Sequence, residues 1–97
     1  IVCSGSADNF NLEDFYGAGY LVSLFARQPL AHDLSDAALA AMLLYERNDA
    51  GECLRRARVG RMMLERRLER EVDFAAQKSR YAVVPKLDGD RLLAAKN

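Results

Sequence analysis

Within its first twenty residues, IVCSGSADNFNLEDFYGAGY, the chain commits to a single order of elements. A β-branched start, Ile1-Val2, reads as the end of a buried strand, because such side chains fit a pleated surface. Small residues follow at Ser4, Gly5 and Ser6, a loop whose amides and hydroxyls could face an anion. Asn11 with Asp14 three residues later resembles a capping box, so a helix is expected from Leu12 to about Arg27. Leu12, Phe15, Tyr16, Gly19, Tyr20, Val22 and Phe25 recur at helical spacing and predict one buried stripe. Gly17 and Gly19 weaken an exposed helix by about 1 kcal/mol each, so close packing or binding is expected there.

Pro29 ends this helix, since its ring cannot continue the hydrogen-bond ladder. Asp33 or Ser35 then caps a second helix running through Ala41 and Tyr45 to near Asn48. Asp49 caps a short third helix through Cys53 to about Ala57. Gly60 is expected to interrupt the pattern before Met62, Met63, Leu64 and Leu68 resume it, and Glu71 to Gln77 reads as one more short helix. Tyr81 to Val84 is expected as a strand closed by Pro85, with Asp88-Gly89 turning the chain into Arg91, Leu92 and Leu93.

Ninety-seven residues allow at most one domain, and 51% apolar with 29% charged residues describes an ordinary globular chain. Ile1-Val2 gives no cap or turn, so the chain is expected to begin inside a larger fold. No apolar run approaches the roughly 18 residues of a membrane helix, so no membrane partner is expected. Cys3 and Cys53 form neither a disulfide framework nor zinc-ligand spacing, which fits a reducing cytoplasm. Without a base at a recognisable spacing, Cys3 is expected to be a small buried residue rather than a nucleophile. His32, the only histidine, receives no role.

Charge is zero in sum but uneven. Residues 1–49 carry seven acids and two arginines, whereas residues 50–97 carry seven acids and twelve basic residues. Arg55, Arg56, Arg58, Arg61, Arg66, Arg67 and Arg70 form a basic run that could attract a phosphate-bearing substrate, nucleic acid or an acidic surface, or stand as a solvated face. Glu13 and Asp14 could bind a divalent cation or satisfy the helix start, where carboxylates are favoured by the macrodipole alone.

The pattern Cys3, Gly5, Ser6, Phe10, Leu12, Glu13, Asp14, Ala18, Gly19 resembles the 2-phosphosulfolactate phosphatase family, the ComB-like fold. The likeness continues in LSDAALAAMLLYER from Leu34, RARVGRMMLE around Gly60, EVDFAAQ from Glu71 and VVPKLDGDRL from Val83, in the family's order. The resemblance implies the C-terminal portion of a three-layer α/β/α domain, helix-rich, with a first strand and a C-terminal strand or hairpin. It implies an Mg²⁺-dependent phosphoric monoester hydrolase of coenzyme M biosynthesis that releases sulfolactate and phosphate, with this portion alone expected to be inactive. Glu13 and Asp14 would be the catalytic and metal-binding carboxylates; Ser4, Gly5, Ser6, Arg58 and Arg61 would hold the substrate, a small phosphorylated sulfonate or hydroxy acid.

Nucleic acid is not the expected partner, and homo-oligomerisation stays open. Three positions depart from the family pattern: Val59 stands where a His precedes the Gly, Arg67 replaces a Gly, and Glu71 an Asp. The alternative expectation is therefore an inactive divergent relative, or an arginine-rich helical module binding an acidic partner or nucleic acid.

Overall fold

A computed structural model describes residues 1–30 and 32–95. Five helices precede one antiparallel strand pair: α1 Leu12–Ala26, α2 Asp36–Arg47, α3 Ala50–Arg56, α4 Arg58–Glu65, α5 Glu69–Ala75, β1 Pro85–Asp88 and β2 Arg91–Ala94. The helix-rich α/β character expected from the sequence is present.

Three helices begin where a side chain can replace the missing first-turn acceptors. Asn11 accepts from the Asp14 amide at 3.0 Å, Ser35 from Ala38 at 3.2 Å and Asp49 from Glu52 at 3.1 Å. Of the two candidates for α2, Ser35 is the cap. Helix α4 starts after Ala57, which has no side-chain oxygen and offers no such bond.

The core forms where α1 crosses α2 and meets α3. Tyr16, Ala50 and Cys53 are buried at its centre, with Leu12, Leu44, Tyr45 and Ala76 packed around them. Tyr16 donates its hydroxyl to the Asn48 carbonyl at 2.9 Å, which satisfies the polar end of a buried ring. Gly19 lets the two helices approach closely: a Cβ there would stand 2.0 Å from the Ala41 carbonyl oxygen. The buried face of α1 is Tyr16, Ala18, Gly19, Val22 and Ser23, so the stripe turns away from Phe25, which is 61% exposed.

Several expectations are corrected. Ile1 and Val2 belong to no strand and are exposed, as is Cys3. A strand exists only through ladder bonds to a neighbour, and the described residues provide none there. Tyr81 to Val84 is irregular; the strand starts at Pro85, which a strand's first position accepts because no ladder donor is needed there. The hairpin is present, but its two-residue loop is Gly89-Asp90, with Asp88 opposite Arg91 and Gly89 at φ +61° in the first central position. Gly60 does not break a helix: it lies inside α4, and the break falls at Ala57, whose ψ is 157°. The last helix begins at Glu69, two residues earlier than expected.

Arg67 occupies a backbone position that suits glycine. It follows the end of α4 at φ +59°, its amide donating to Leu64 and the Leu68 amide to Met63, both at 3.0 Å, a Schellman closure. A side chain in this region carries a penalty of about 1 kcal/mol. Arg67→Gly is accordingly expected to stabilise the protein by about 1 kcal/mol in urea unfolding. An unchanged or lower midpoint would contradict this account of the turn.

Candidate active site

Two adjacent carboxylates at the start of α1 point to different neighbours, as helical residues about 100° apart must. Asp14 turns back to the loop: its Oδ2 accepts from the Gly5 amide at 2.8 Å and from the Ser4 hydroxyl at 3.4 Å. Glu13 crosses to α4, where its Oε1 accepts from the Gly60 amide at 3.3 Å. The Gly60 amide is one of the first-turn donors that Ala57 cannot satisfy, so Glu13 caps α4 from another helix. Gly60 itself lets α4 lie close against α3, because a Cβ there would collide with the Leu54 carbonyl.

The loop before α1 is a tight reversal. Ser6 and Asn9 exchange both backbone hydrogen bonds at 3.0 Å around Ala7 and Asp8, which sit at φ 49° and 59°. This is the two-residue turn that usually carries Asn or Gly, formed here without glycine. Arg58 donates to the Ser6 carbonyl at 3.3 Å, tying the loop to the first residue of α4. Arg61 donates instead to the Arg56 carbonyl at 2.6 Å.

Ser4, Gly5, Ser6, Glu13, Asp14 and Arg58 therefore form one connected group, and Arg61 lies beyond Arg58 on the same helix. The loop's donors do not face open space as an empty anion cradle would: Gly5 and Ser4 serve Asp14, and the Ser6 amide serves Asn9.

Two clefts adjoin this group and share Asn11, Glu13 and Val59 in their walls. One, of about 360 Å³, runs beside Asp14, Tyr20 and Lys78; the other, of about 580 Å³, lies between Asn9 and Arg56, Arg58 and Arg61. Val59 thus lines both. Lys78 was not distinguished by any sequence signal, and its ammonium lies 4.8 Å from the Tyr45 ring centre. Cys53 is buried, and burial first, then the Glu13 charge, pushes its thiol above the ordinary range. Among the described residues no three His, Cys, Asp or Glu side chains converge into a metal cage, and no helix is long and apolar enough to cross a membrane.

The family model of 2-phosphosulpholactate phosphatase matches residues 1–90. The chain belongs to that family. It is 38% identical over 82 residues to a protein of Carboxydothermus hydrogenoformans named "Probable 2-phosphosulfolactate phosphatase", covering 84% of this chain and 34% of the relative. A Clostridium botulinum protein of the same name (strain Eklund 17B / Type B) is 28% identical over 94 residues, covering 96% of this chain and 40% of the relative. One from Caldicellulosiruptor saccharolyticus is 42% identical over 57 residues, covering 57% of this chain and 24% of the relative. The chain thus spans between a third and two fifths of the length of the first two relatives. No solved structure matches it.

Proposed function

We propose that this chain carries part of the active site of an Mg²⁺-dependent phosphatase that hydrolyses 2-phosphosulfolactate, or a similarly small phosphorylated hydroxy acid, in coenzyme M biosynthesis. The observation that carries this reading is that Asp14 and Arg58 both bond to the Ser4–Ser6 loop while the neighbouring Glu13 bonds to the start of α4, so that loop, carboxylates and arginine adjoin one another. Membership of the family supports the substrate class.

Glu13 and Asp14 suit Mg²⁺, which commonly takes one or two carboxylates and completes its shell with water and phosphate oxygens. Each accepts a backbone amide on one carboxylate oxygen, and its second oxygen is the one proposed for the cation. When bound, the ion neutralises phosphate charge and polarises a phosphoryl oxygen. The chain's own residues contribute position and charge. Asp14 fixes the loop, Glu13 fixes α4, and Arg58 holds the two together while its guanidinium, charged at every working pH, faces the substrate. Hydrolysis then forms a bond from water to phosphorus and breaks the phosphorus bond to the 2-oxygen, which leaves as the hydroxyl of sulfolactate. The attacking water gives up one proton and the departing 2-oxygen takes one up, so the step is neutral in protons apart from the ionisation of the released phosphate.

Asp14→Asn tests the assignment, since an amide oxygen still accepts from Gly5 while the charge is lost. In the full-length protein with Mg²⁺, kcat is expected to fall on the order of 100-fold with the unfolding midpoint nearly unchanged. Wild-type turnover by this variant would remove Asp14 from the site. Val59 favours a second reading, a relative that binds the organic acid without hydrolysing it, because it places an aliphatic group where both clefts meet. Sulfolactate binding by wild-type protein that releases no phosphate would select that reading.

A further inference from the structure

The wider cleft, of about 580 Å³, holds three arginines, Arg56, Arg58 and Arg61, and one carboxylate, Glu13. Their neighbours decide whether those charges are available. Arg58 and Arg61 are held by the carbonyls of Ser6 and Arg56, neutral acceptors that orient a guanidinium without cancelling it. Arg56 comes no nearer than 4.0 Å to Glu52, with both side chains mostly exposed, a pair that solvent screens. Arg55 differs: it forms an ion pair with Asp73 and does not line the cleft. The cleft therefore has an electropositive end at the turn between α3 and α4 and one acidic wall at Glu13.

We propose that this end receives the sulfonate of the substrate, with Arg56 as a specificity-determining residue, an inference that rests on the phosphatase reading above. A 2-phosphosulfolactate molecule carries phosphate, carboxylate and sulfonate. The transferred phosphate belongs near the carboxylate pair and its cation. Glu13 repels any other anion from that side, which directs a remaining acid group toward the arginines. A sulfonate stays ionised at all working pH values, and its three oxygens can each meet a different guanidinium. Arg56 sits at the last turn of α3 and lines the same cleft as Arg58 and Arg61.

The experiment compares kcat/KM of the full-length protein on 2-phosphosulfolactate and on 2-phospholactate, which differs by lacking the sulfonate. Arg56 is exposed, so Arg56→Gln leaves folding intact, and Arg55→Gln serves as an equal charge change outside the cleft. Arg56→Gln is expected to lower kcat/KM on the sulfonated substrate about tenfold while changing the other less than about twofold. Arg55→Gln is expected to leave the ratio of the two unchanged. An equal loss on both substrates, or an unchanged ratio in Arg56→Gln, would overturn the assignment.

Calorimetric titration with sulfolactate and with lactate separates this from the phosphatase reading. If wild-type protein hydrolyses neither ester but binds sulfolactate about tenfold more tightly than the Arg56→Gln variant, the phosphatase reading falls and the sulfonate site stands. No sulfolactate binding by the wild type ends the proposal.

Discussion

Gly60→Ala is expected to lower the stability of the full-length protein by about 3 kcal/mol or more, beyond the ordinary cost of overpacking. The added Cβ would stand 1.6 Å from the Leu54 carbonyl oxygen, 2.7 Å from its carbon and 3.4 Å from the Arg55 Cα. All three are backbone atoms, so no side chain can rotate away. Relief requires α4 to move off α3, and that movement also breaks the bond from the Gly60 amide to Glu13. Chemical denaturation would show the lost stability. A midpoint within about 1 kcal/mol of wild type would mean the helices yield without strain, and the close α3–α4 contact would not be a constraint.

Gly19→Ala is expected to cost about 2–3 kcal/mol for a related reason at the main helix crossing. Its Cβ would meet the Ala41 carbonyl oxygen at 2.0 Å, the carbonyl carbon at 2.6 Å and the Tyr45 Cβ at 3.0 Å. Tyr45 belongs to the core and stacks edge-to-face on Tyr16 at 5.4 Å, so a shift there spreads into the aromatic group. Gly17, two residues earlier on the same helix, is the internal control. A Cβ added at Gly17 would have nothing within 4 Å, and Gly17→Ala is expected to gain roughly 0.5–1 kcal/mol from helix propensity. Equal effects of the two substitutions in thermal unfolding would refute the crossing as the reason for Gly19.

The contrast between these glycines marks the limit of what residues in order can reveal. Composition and spacing lead one to expect close packing around both, and only Gly19 has it. Helix positions were legible where a local cap writes them, at Asn11, Ser35 and Asp49. They were not legible at Ala57, whose extended backbone starts α4 with a cap supplied by Glu13, 47 residues away from Gly60. Gly60 read as a breaker by propensity, yet its lack of a side chain is what lets the helix pass against α3. Strand positions failed for a similar reason. Tyr81 to Val84 has the composition of a strand, but the ladder forms one step later, from Pro85, because pairing with Arg91–Ala94 fixes the register.

The candidate site was half legible. Glu13, Asp14, the small-residue loop and the basic run could be marked, whereas the partner of each could not. Asp14 binds the loop and Glu13 binds α4, two directions that spacing alone does not separate. Arg55 and Arg56 are adjacent and chemically identical, and only the position of Asp73 distinguishes the neutralised one from the one left to the cleft.

The bonds from Glu13 to Gly60 and from Arg58 to Ser6 span 47 and 52 residues, while the helices they join are built from contacts within a few turns. Closing such long loops carries an entropic cost that local helices do not meet. Helices as short as α3 and α4, of seven and eight residues, are too short to hold alone, so the long-range contacts that assemble the carboxylate–loop–arginine group also hold them in place. Loosening of that group and loss of helical signal should then coincide when the protein is gently denatured, leaving no helical remnant behind once the long-range bonds are gone.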